Sequence, residues 1–155
     1  DDLPGSECRI HSIIDNCLVM LTNELKYRIT VEKNYTKDPV IVFGNEGRLH
    51  QVFLNVLTNA IHAIPDKGKI IIATQAGNKR GIISISDNGI GMSKDLIHKI
   101  TDPFFTTKDP GKGTGLGLSI TYNILKDYKG NIEFESEPGK GTNVIITLPL
   151  MKTRE

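Results

Sequence analysis

The sequence has almost no excess charge, few cysteines and no long apolar run. Its formal net charge of +1 over 155 residues gives no electrostatic reason to expect nucleic acid or an anionic membrane as the main partner. No apolar stretch approaches the roughly 20 residues of a membrane-spanning helix, and no signal-peptide pattern opens the chain. The two cysteines lack CxxC spacing, and Cys17 is expected to be a buried, reduced thiol. These absences favour a cytoplasmic globular domain.

The length and composition are those of one ordinary domain. A hydrophobic fraction of 38% and a charged fraction of 24% are typical of a globular chain that is long enough to bury a core. We expect a single domain over residues 1–155, with its core at about residues 10–150. The chain opens with DDLPG rather than with methionine. We therefore expect it to belong to a longer parent protein, and the sequence leaves open whether that parent is anchored in a membrane.

Hydrophobic periodicity predicts a mixture of helices and strands. One helix is expected over residues 10–25 with Ser6 as its N-cap, and a longer one over residues 49–64, ending at Pro65. Two further helices are expected over residues 93–100 and 114–128. Strands are expected at residues 28–33, 40–43, 69–75, 81–87, 130–136 and 142–150. Because several strand pairs are adjacent in sequence, we predict an α+β two-layer sandwich, with a mixed, mostly antiparallel sheet covered on one face by helices.

The helix at residues 49–64 carries a polar face opposite its apolar stripe. Asn55, Asn59 and His62 lie on this face because steps of three and four residues return to the same side of a helix. Amide oxygens are neutral ligands for a hard cation such as Mg²⁺, and amide N–H groups donate to phosphate oxygens. A solvated helix surface explains the same pattern, so both interpretations stay open at this point.

The segment SDNGIGM follows a predicted strand. Asp87 can accept hydrogen bonds from an exocyclic amine such as that of adenine, whereas its charge would repel a phosphate. Gly89 and Gly91 allow a sharp turn and a close approach of the backbone to a ligand. An ordinary strand-to-helix turn is the alternative explanation.

A second glycine-rich segment, DPGKGTGLGLSI, leads directly into a predicted helix. Its spacing is neither that of a Walker A loop nor that of a Rossmann dinucleotide site, because no βαβ unit surrounds it. Gly113, Gly115 and Gly117 expose backbone N–H groups, and the helix that follows presents its positive dipole end to an anion. Lys108 and Lys112 add cations beside it. The segment is therefore expected to wrap and release a polyphosphate.

Four motifs in this order are more specific than any one alone. They are QVFLNVLTNAIHAI, DNGIGM, DPFFTTK and GKGTGLGLSI. In this arrangement the sequence closely resembles the catalytic ATP-binding domain of bacterial sensor histidine kinases, within the GHKL ATPase superfamily of gyrase, heat-shock chaperone and MutL relatives. PFFTTK looks like the corresponding motif in kinases of the nitrogen-regulator type. The resemblance covers about residues 10–150.

This resemblance implies the Bergerat α/β sandwich, in which ATP lies between a helical layer and a flexible lid, here at about residues 102–113. It implies that Asn59 is the Mg²⁺ ligand, that Asp87 recognises the adenine amino group, and that Asn55 and Lys108 are the catalytic positions. The implied cofactor-binding residues are Asn55, Asn59, His62, Asp87, Gly89, Gly91, Phe104, Phe105, Lys108, Lys112, Gly113, Thr114, Gly115, Leu116, Gly117, Leu118 and Thr142.

The resemblance also bears on the type of reaction. Asn55 stands where hydrolytic members of the superfamily carry a glutamate that activates water, and an amide cannot take that proton. We therefore expect slow hydrolysis and transfer of the γ-phosphate to a histidine on a separate dimerisation domain, which then supplies a response regulator. His62 stands where many relatives carry Lys or Arg, so any contact of His62 with phosphate depends on pH.

The phosphoacceptor itself is expected to be absent from this chain. No phosphoacceptor motif surrounds His11, which we interpret as an ordinary residue of a helix surface. The isolated domain is accordingly expected to bind ATP and Mg²⁺ as a monomer without phosphorylating itself.

Three alternatives stay open. A GHKL domain of the ATPase type is disfavoured by Asn55, and a serine-kinase or mitochondrial-type kinase domain differs in the lid motif. A nucleotide-binding regulatory module without transfer activity belongs to another functional class, but none of the four motifs is disrupted.

Overall fold

The computed structural model describes residues 5–101 and 114–151, with side chains from residue 118 onward in the second range. The predicted lid, residues 102–113, lies outside the described residues. The elements in chain order are β1 (Ser6–Arg9), α1 (Ile10–Met20), α2 (Thr22–Leu25), β2 (Ile29–Asn34), β3 (Ile41–Gly44), α3 (Glu46–Ala63), β4 (Gly68–Gly77), β5 (Arg80–Asp87), α4 (Lys94–Ile100), α5 (Thr114–Asp127), β6 (Asn131–Glu137) and β7 (Gly141–Pro149).

A five-stranded sheet with the order β2-β4-β5-β7-β6 forms one layer of the domain. β2 is parallel to β4, and the other neighbours are antiparallel. β4 and β5 are joined by a two-residue turn, in which Asn78 and Lys79 both have positive φ angles, 52° and 63°. The predicted mixed, mostly antiparallel sheet is confirmed, and β1 and β3 form a separate antiparallel pair.

Helices cover one face of the sheet, as predicted. α3 lies between α1 and α5 and also contacts β5. Strand side chains that point toward the helices are buried, among them Ile70 and Ile72 on β4 and Ile83 and Ile85 on β5. Each large apolar side chain buried in this layer contributes about 1.5–3 kcal/mol to the hydrophobic stabilisation. The core therefore fixes α3 above the middle strands.

Local signals set both ends of α3. The side chain of Asn45 accepts a hydrogen bond from the backbone N–H of Arg48 at 2.9 Å, which caps the helix. The helix ends where Ile64 takes an extended conformation before Pro65, because a proline disfavours the helical conformation of the residue before it. Arg28 donates to the carbonyl oxygens of Ile64 and Asp66, which fastens this end to β2.

Two expectations for the N-terminal region are wrong. Ser6 is not an N-cap, because residues 6–9 pair with β3 and their backbone groups are satisfied by the strand ladder. α1 begins at Ile10 after Arg9, which makes no side-chain capping bond. The expected helix over residues 10–25 is interrupted at Leu21 and continues as α2.

His11 is also more than an ordinary surface residue. Its Nε2 lies 2.8 Å from Oγ1 of Thr74, and its ring stacks on Tyr35 with 4.3 Å between the ring centroids. Burial lowers the pKa of His11, which the nearby charge of Asp15 opposes. The residue therefore joins α1 to the sheet.

Within the described ranges, no helix is both long and apolar enough to cross a membrane. Cys8 and Cys17 are free thiols and are buried, as was expected of Cys17. Burial raises the pKa of Cys17 to about 11, so this thiol is protonated at neutral pH.

Candidate functional site

A cavity of about 210 Å³ opens between the second half of α3, the ends of β5 and β7, and the helices α4 and α5. Elements that are distant in sequence meet here. Its lining residues are Val56, Asn59, Ala60, His62, Ala63, Asp87, Ile90, Gly91, Met92, Leu96, Ile100, Leu118, Phe134, Thr142 and Val144. The cavity combines many apolar residues with a few polar groups, which is typical of a site for a small organic molecule.

Asp87 is the buried carboxylate of this cavity. It is the last residue of β5 and is only 8% exposed. Its Oδ1 accepts a hydrogen bond from the backbone N–H of Gly89 at 2.9 Å. Burial raises the pKa of Asp87, while the backbone N–H groups of Gly89 and Thr142 act in the opposite direction. A buried acceptor with few protein donors suits a ligand that brings its own N–H groups.

The glycine loop, residues 88–92, lies between the end of α3 and the turn that joins β6 to β7. A Cβ added at Gly89 would lie 2.2 Å from the carbonyl oxygen of Ala63, and one added at Gly91 would lie 1.9 Å from that of Glu137. Gly91 also has a φ of +70°, which favours glycine. These two glycines therefore permit close packing against the protein's own backbone, and only Gly91 of the two lines the described cavity.

Backbone hydrogen bonds hold the glycine loop in place. The N–H of Ile90 donates to the carbonyl of Ala63 at 2.8 Å, and the carbonyl of Ile90 accepts from the N–H of Gly139 at 2.7 Å. The loop is thus fixed to α3 on one side and to the β6–β7 turn on the other. These contacts within the protein are sufficient to hold the loop that follows Asp87 beside α3.

The polar face of α3 is divided between two environments. Asn59 and His62 line the cavity, Asn59 half-buried and His62 exposed. Asn55 lies one helical turn earlier and is not among the lining residues within the described part of the chain. Arg48, earlier still, donates to Oδ2 of Asp127 at 2.7 Å and so ties α3 to α5. The polar face is therefore partly a site and partly an interhelical contact.

The apolar wall is the part of the site that sequence reasoning missed. Ile90 is 61% exposed at the cavity rim, and Phe134 and Val144 contribute from β6 and β7. Strand alternation was the available signal, because it turns every second residue of β6 toward the helices. The wall can cover the faces of a planar ring while Asp87 meets its polar edge.

Thr142 and Leu118, two residues implied by the resemblance, also reach the cavity. Leu118 is buried on α5, and Thr142 is 7% exposed at the start of β7. The hydroxyl of Thr142 lies 2.8 Å from that of Ser136, which sequence reasoning did not identify. Alternation again supplies the signal, because Ser136 is a polar residue at an inward-facing position of β6.

The remaining predicted residues divide by their position in the chain. Thr114, Gly115, Leu116 and Gly117 form the first turn of α5, whose backbone alone is described there. Outside the described residues lie Phe104, Phe105, Lys108, Lys112 and Gly113. The roles of both groups stay predictions.

Comparisons with known proteins agree with this geometry. A family model described as "Histidine kinase-, DNA gyrase B-, and HSP90-like ATPase" matches residues 44–152. Sporulation kinase C of Bacillus subtilis (strain 168) is 38% identical over 144 residues, which cover 92% of this chain and 33% of that protein. The chain thus spans about a third of the length of this curated relative.

Solved structures give the same result. The catalytic domain of histidine kinase ThkA, in a nucleotide-free form, has a TM-score of 0.83 and 30% identity, over 96% of this chain and 99% of that one. Histidine kinase ThkA in complex with the response regulator protein TrrA has a TM-score of 0.78 and 27% identity, over 95% of this chain and 42% of that one. The fold of this chain is therefore that of a known histidine kinase catalytic domain.

Proposed function

The chain belongs to the histidine kinase-, DNA gyrase B-, and HSP90-like ATPase family, and from this premise we propose that it binds Mg-ATP in the described cavity and transfers the γ-phosphate to a histidine of a separate dimerisation domain. The observation that carries the proposal is a buried carboxylate, Asp87, at one end of an apolar cavity whose other side is the polar face of α3. Adenine fits this combination, because it has two apolar faces and an exocyclic amine.

Each polar residue has a proposed role. The carboxylate of Asp87 accepts from the amine of adenine, which compensates the cost of keeping this group charged in a buried site. Asn59 and His62 line the same side of the cavity, and Asn55 lies one helical turn before Asn59 on α3. We assign Asn59 to the metal and Asn55 to the phosphate side, with Lys108 as a cation of the lid.

The donor set fits a magnesium ion that arrives with its nucleotide. Within the described ranges no group of three or more His, Cys, Asp or Glu side chains is placed to hold a metal. Mg²⁺ is commonly held by one or two protein ligands together with phosphates and water, and an amide oxygen serves as one such ligand. Asn59 would hold the ion, which neutralises charge on the phosphates when bound.

Transfer is favoured over hydrolysis because the helix face offers no general base at Asn55. An amide neither accepts a proton from water nor releases one at neutral pH. The domain therefore contributes positioning and charge neutralisation, which dominate phosphoryl transfer, while the nucleophile comes from another domain. We place that reaction in the cytoplasm and assign a response regulator as the next acceptor, which the ThkA–TrrA complex supports.

Calorimetry with ATP, in the presence and absence of Mg²⁺, tests the binding proposal. Asn59→Ala is expected to reduce the gain in affinity that Mg²⁺ gives the wild type, while leaving metal-free binding nearly unchanged. Gln51→Ala serves as the control, because Gln51 is an exposed polar residue two turns earlier on α3. An equal loss in both conditions would show that Asn59 does not act through the metal.

Transfer is tested with labelled ATP and a supplied dimerisation domain of a sensor histidine kinase. We expect label on the histidine of that domain and negligible free phosphate in its absence. Rapid phosphate release by the isolated domain would favour the ATPase alternative instead. Binding without transfer to any supplied domain would favour the regulatory module.

A further inference from the structure

Ser136 lies on β6, where it contacts Met92 of the glycine loop and Gly141 and Thr142 of β7. Its Oγ accepts a hydrogen bond from the backbone N–H of Met92 at 2.8 Å and donates to the carbonyl of Gly141 at 2.9 Å. The same Oγ lies 2.8 Å from Oγ1 of Thr142. Ser136 does not itself line the described cavity, whereas Met92 and Thr142 do. Ser136 lines a neighbouring open depression that shares Asp87 and Thr142 with the cavity, and it influences a ligand in the cavity itself through Met92 and Thr142.

Counting protons fixes the direction of the bond between the two hydroxyls. A serine hydroxyl has one proton and two lone pairs. The N–H of Met92 can only donate, and the carbonyl of Gly141 can only accept, so these partners use the Ser136 proton and one of its lone pairs. All three contacts are satisfied together when Thr142 donates its own proton to Ser136. The Thr142 hydroxyl then offers only acceptor sites to the cavity.

Two acceptors thus stand together on the cavity wall. Asp87 and Thr142 are paired across β5 and β7, and both line the cavity. A ligand edge that meets them must supply N–H groups directly or through water. An amino group at position 6 of a purine does so, whereas a carbonyl oxygen at that position would face two acceptors.

We infer that Ser136 is a positioning residue that selects 6-aminopurine over 6-oxopurine nucleotides, by holding the Thr142 hydroxyl as an acceptor. This inference rests on the proposed nucleotide site. When Ser136 is absent, the Thr142 hydroxyl is free to turn its proton toward the cavity and to donate to a 6-oxo group. Selectivity is then weakened even where the fold and the Asp87 carboxylate are retained.

The test compares the dissociation constants of ATP and inosine triphosphate, which differ at position 6 and in the protonation of N1. The wild type is expected to prefer ATP, and Ser136→Ala should reduce this preference about 10-fold, the effect of about 1.4 kcal/mol. A general loosening of the site weakens both nucleotides equally and leaves the ratio unchanged. The ratio is therefore a readout that a merely structural role would not move.

Two matched variants accompany this measurement. Ser86→Ala removes a serine hydroxyl from β5, which lies on the other side of β7 from Ser136. The Ser86 hydroxyl donates to Oδ1 of Asn143 at 2.8 Å, and Ser86 does not line the described cavity. This variant should leave the ratio unchanged. Ser136→Thr keeps the hydroxyl and should restore the wild-type ratio.

Thr142→Val tests whether Ser136 acts through Thr142. We expect this variant to lower the preference for ATP, and Ser136→Ala to add no further change in its background. The inference is overturned if Ser136→Ala leaves the ratio of the two dissociation constants unchanged. It is also overturned if Ser136→Ala lowers that ratio as much in the Thr142→Val background as in the wild type. If Ser136→Ala does not fold, an unchanged ratio in Thr142→Val overturns it instead. Equal wild-type affinity for both nucleotides also overturns it while the binding proposal stands, whereas failure to bind ATP overturns the proposed function itself.

Discussion

Two buried threonines on the helix-facing side of one sheet have opposite surroundings. Thr74 is 4% exposed and Thr142 is 7% exposed. Oγ1 of Thr74 accepts from the N–H of Thr36 at 2.9 Å and lies 2.8 Å from Nε2 of His11, so its partners come from the protein. Thr142 borders an open cavity. Both hydroxyls have partners in the protein, because Thr142 lies 2.8 Å from Ser136, but of the two threonines only Thr142 also lines the cavity.

The wider surroundings follow the same division. Around Thr74 the ring of His11 stacks on Tyr35, whose hydroxyl donates to Oδ1 of Asp15 at 2.8 Å. Near Thr142 and Asp87, backbone hydrogen bonds hold the glycine loop against α3 and the β6–β7 turn, and the loop also lines the cavity. The first region stabilises the fold, and the second is prepared for a ligand.

The largest expected effect is on ATP affinity and comes from a change in the cavity. Asp87→Asn replaces the acceptor carboxylate by an amide of the same shape, and should weaken ATP binding by at least about 100-fold, because a charged hydrogen bond is lost and an N–H group faces the adenine amine. The thermal midpoint of the nucleotide-free domain should change little, because a buried charge is removed as well. Calorimetry and thermal unfolding measure the two quantities.

Asp15→Asn is the matched control for that prediction. It makes the same chemical change in the Thr74 region, where Asp15 accepts from Tyr35 and Lys33. ATP affinity should be unchanged in this variant. A similar loss of affinity in both variants would mean that Asp87 acts through the stability of the fold.

The second prediction concerns the stability of the Thr74 region. Thr74→Val keeps the shape but leaves the N–H of Thr36 and the ring nitrogen of His11 without their buried partner. We expect the free energy of unfolding to fall by about 2 kcal/mol, measured by urea denaturation, with ATP affinity of the folded domain unchanged. A loss of affinity in a folded variant would contradict the division between the two regions.

Local patterns in the sequence predicted most of the elements. The apolar stripe of α3, its end before Pro65, the β4–β5 pair and the β6–β7 pair were all foreseen, because periodicity and turn residues act over short distances. Asn59 and Asp87 were selected from such motifs, and they line one cavity. Their roles toward metal and adenine stay predictions.

Long-range contacts explain what was missed. The local sequence favours a helix cap at Ser6, because the partner of Ser6 in the strand ladder, Gly44, is far away in the sequence. The local sequence likewise indicates a surface position for His11, because its partners Thr74 and Tyr35 are distant in sequence. The apolar cavity wall arises only when β6, β7 and the glycine loop meet, which single-segment patterns do not encode.

The third prediction sharpens the comparison with a further buried threonine. Thr121 on α5 is fully buried, and its hydroxyl has no hydrogen-bond partner in the part of the chain that the structure describes. Thr121→Val should therefore raise the free energy of unfolding by about 1 kcal/mol, because an unsatisfied buried hydroxyl is replaced by a methyl group. Urea denaturation beside Thr74→Val checks the opposite signs. Destabilisation by Thr121→Val would show that its hydroxyl has a stabilising partner.

The smallest expected effect concerns protonation in the Thr74 region. Burial lowers the pKa of His11 below its ordinary value of 6.5, so the unfolded chain takes up a proton at a higher pH than the folded domain. The stability contributed by neutral His11 is therefore present above pH 6.5 and is lost as the pH falls through its lowered pKa. His11→Gln keeps a side-chain N–H near Thr74 but does not titrate. Urea denaturation at pH 7.5, 6.5 and 5.5 should show the stability advantage of the wild type over this variant shrinking on acidification, by a modest amount because the ring is partly accessible to water. An advantage that grows on acidification would mean that the charge of Asp15 outweighs burial and that the Thr74 region favours the protonated ring.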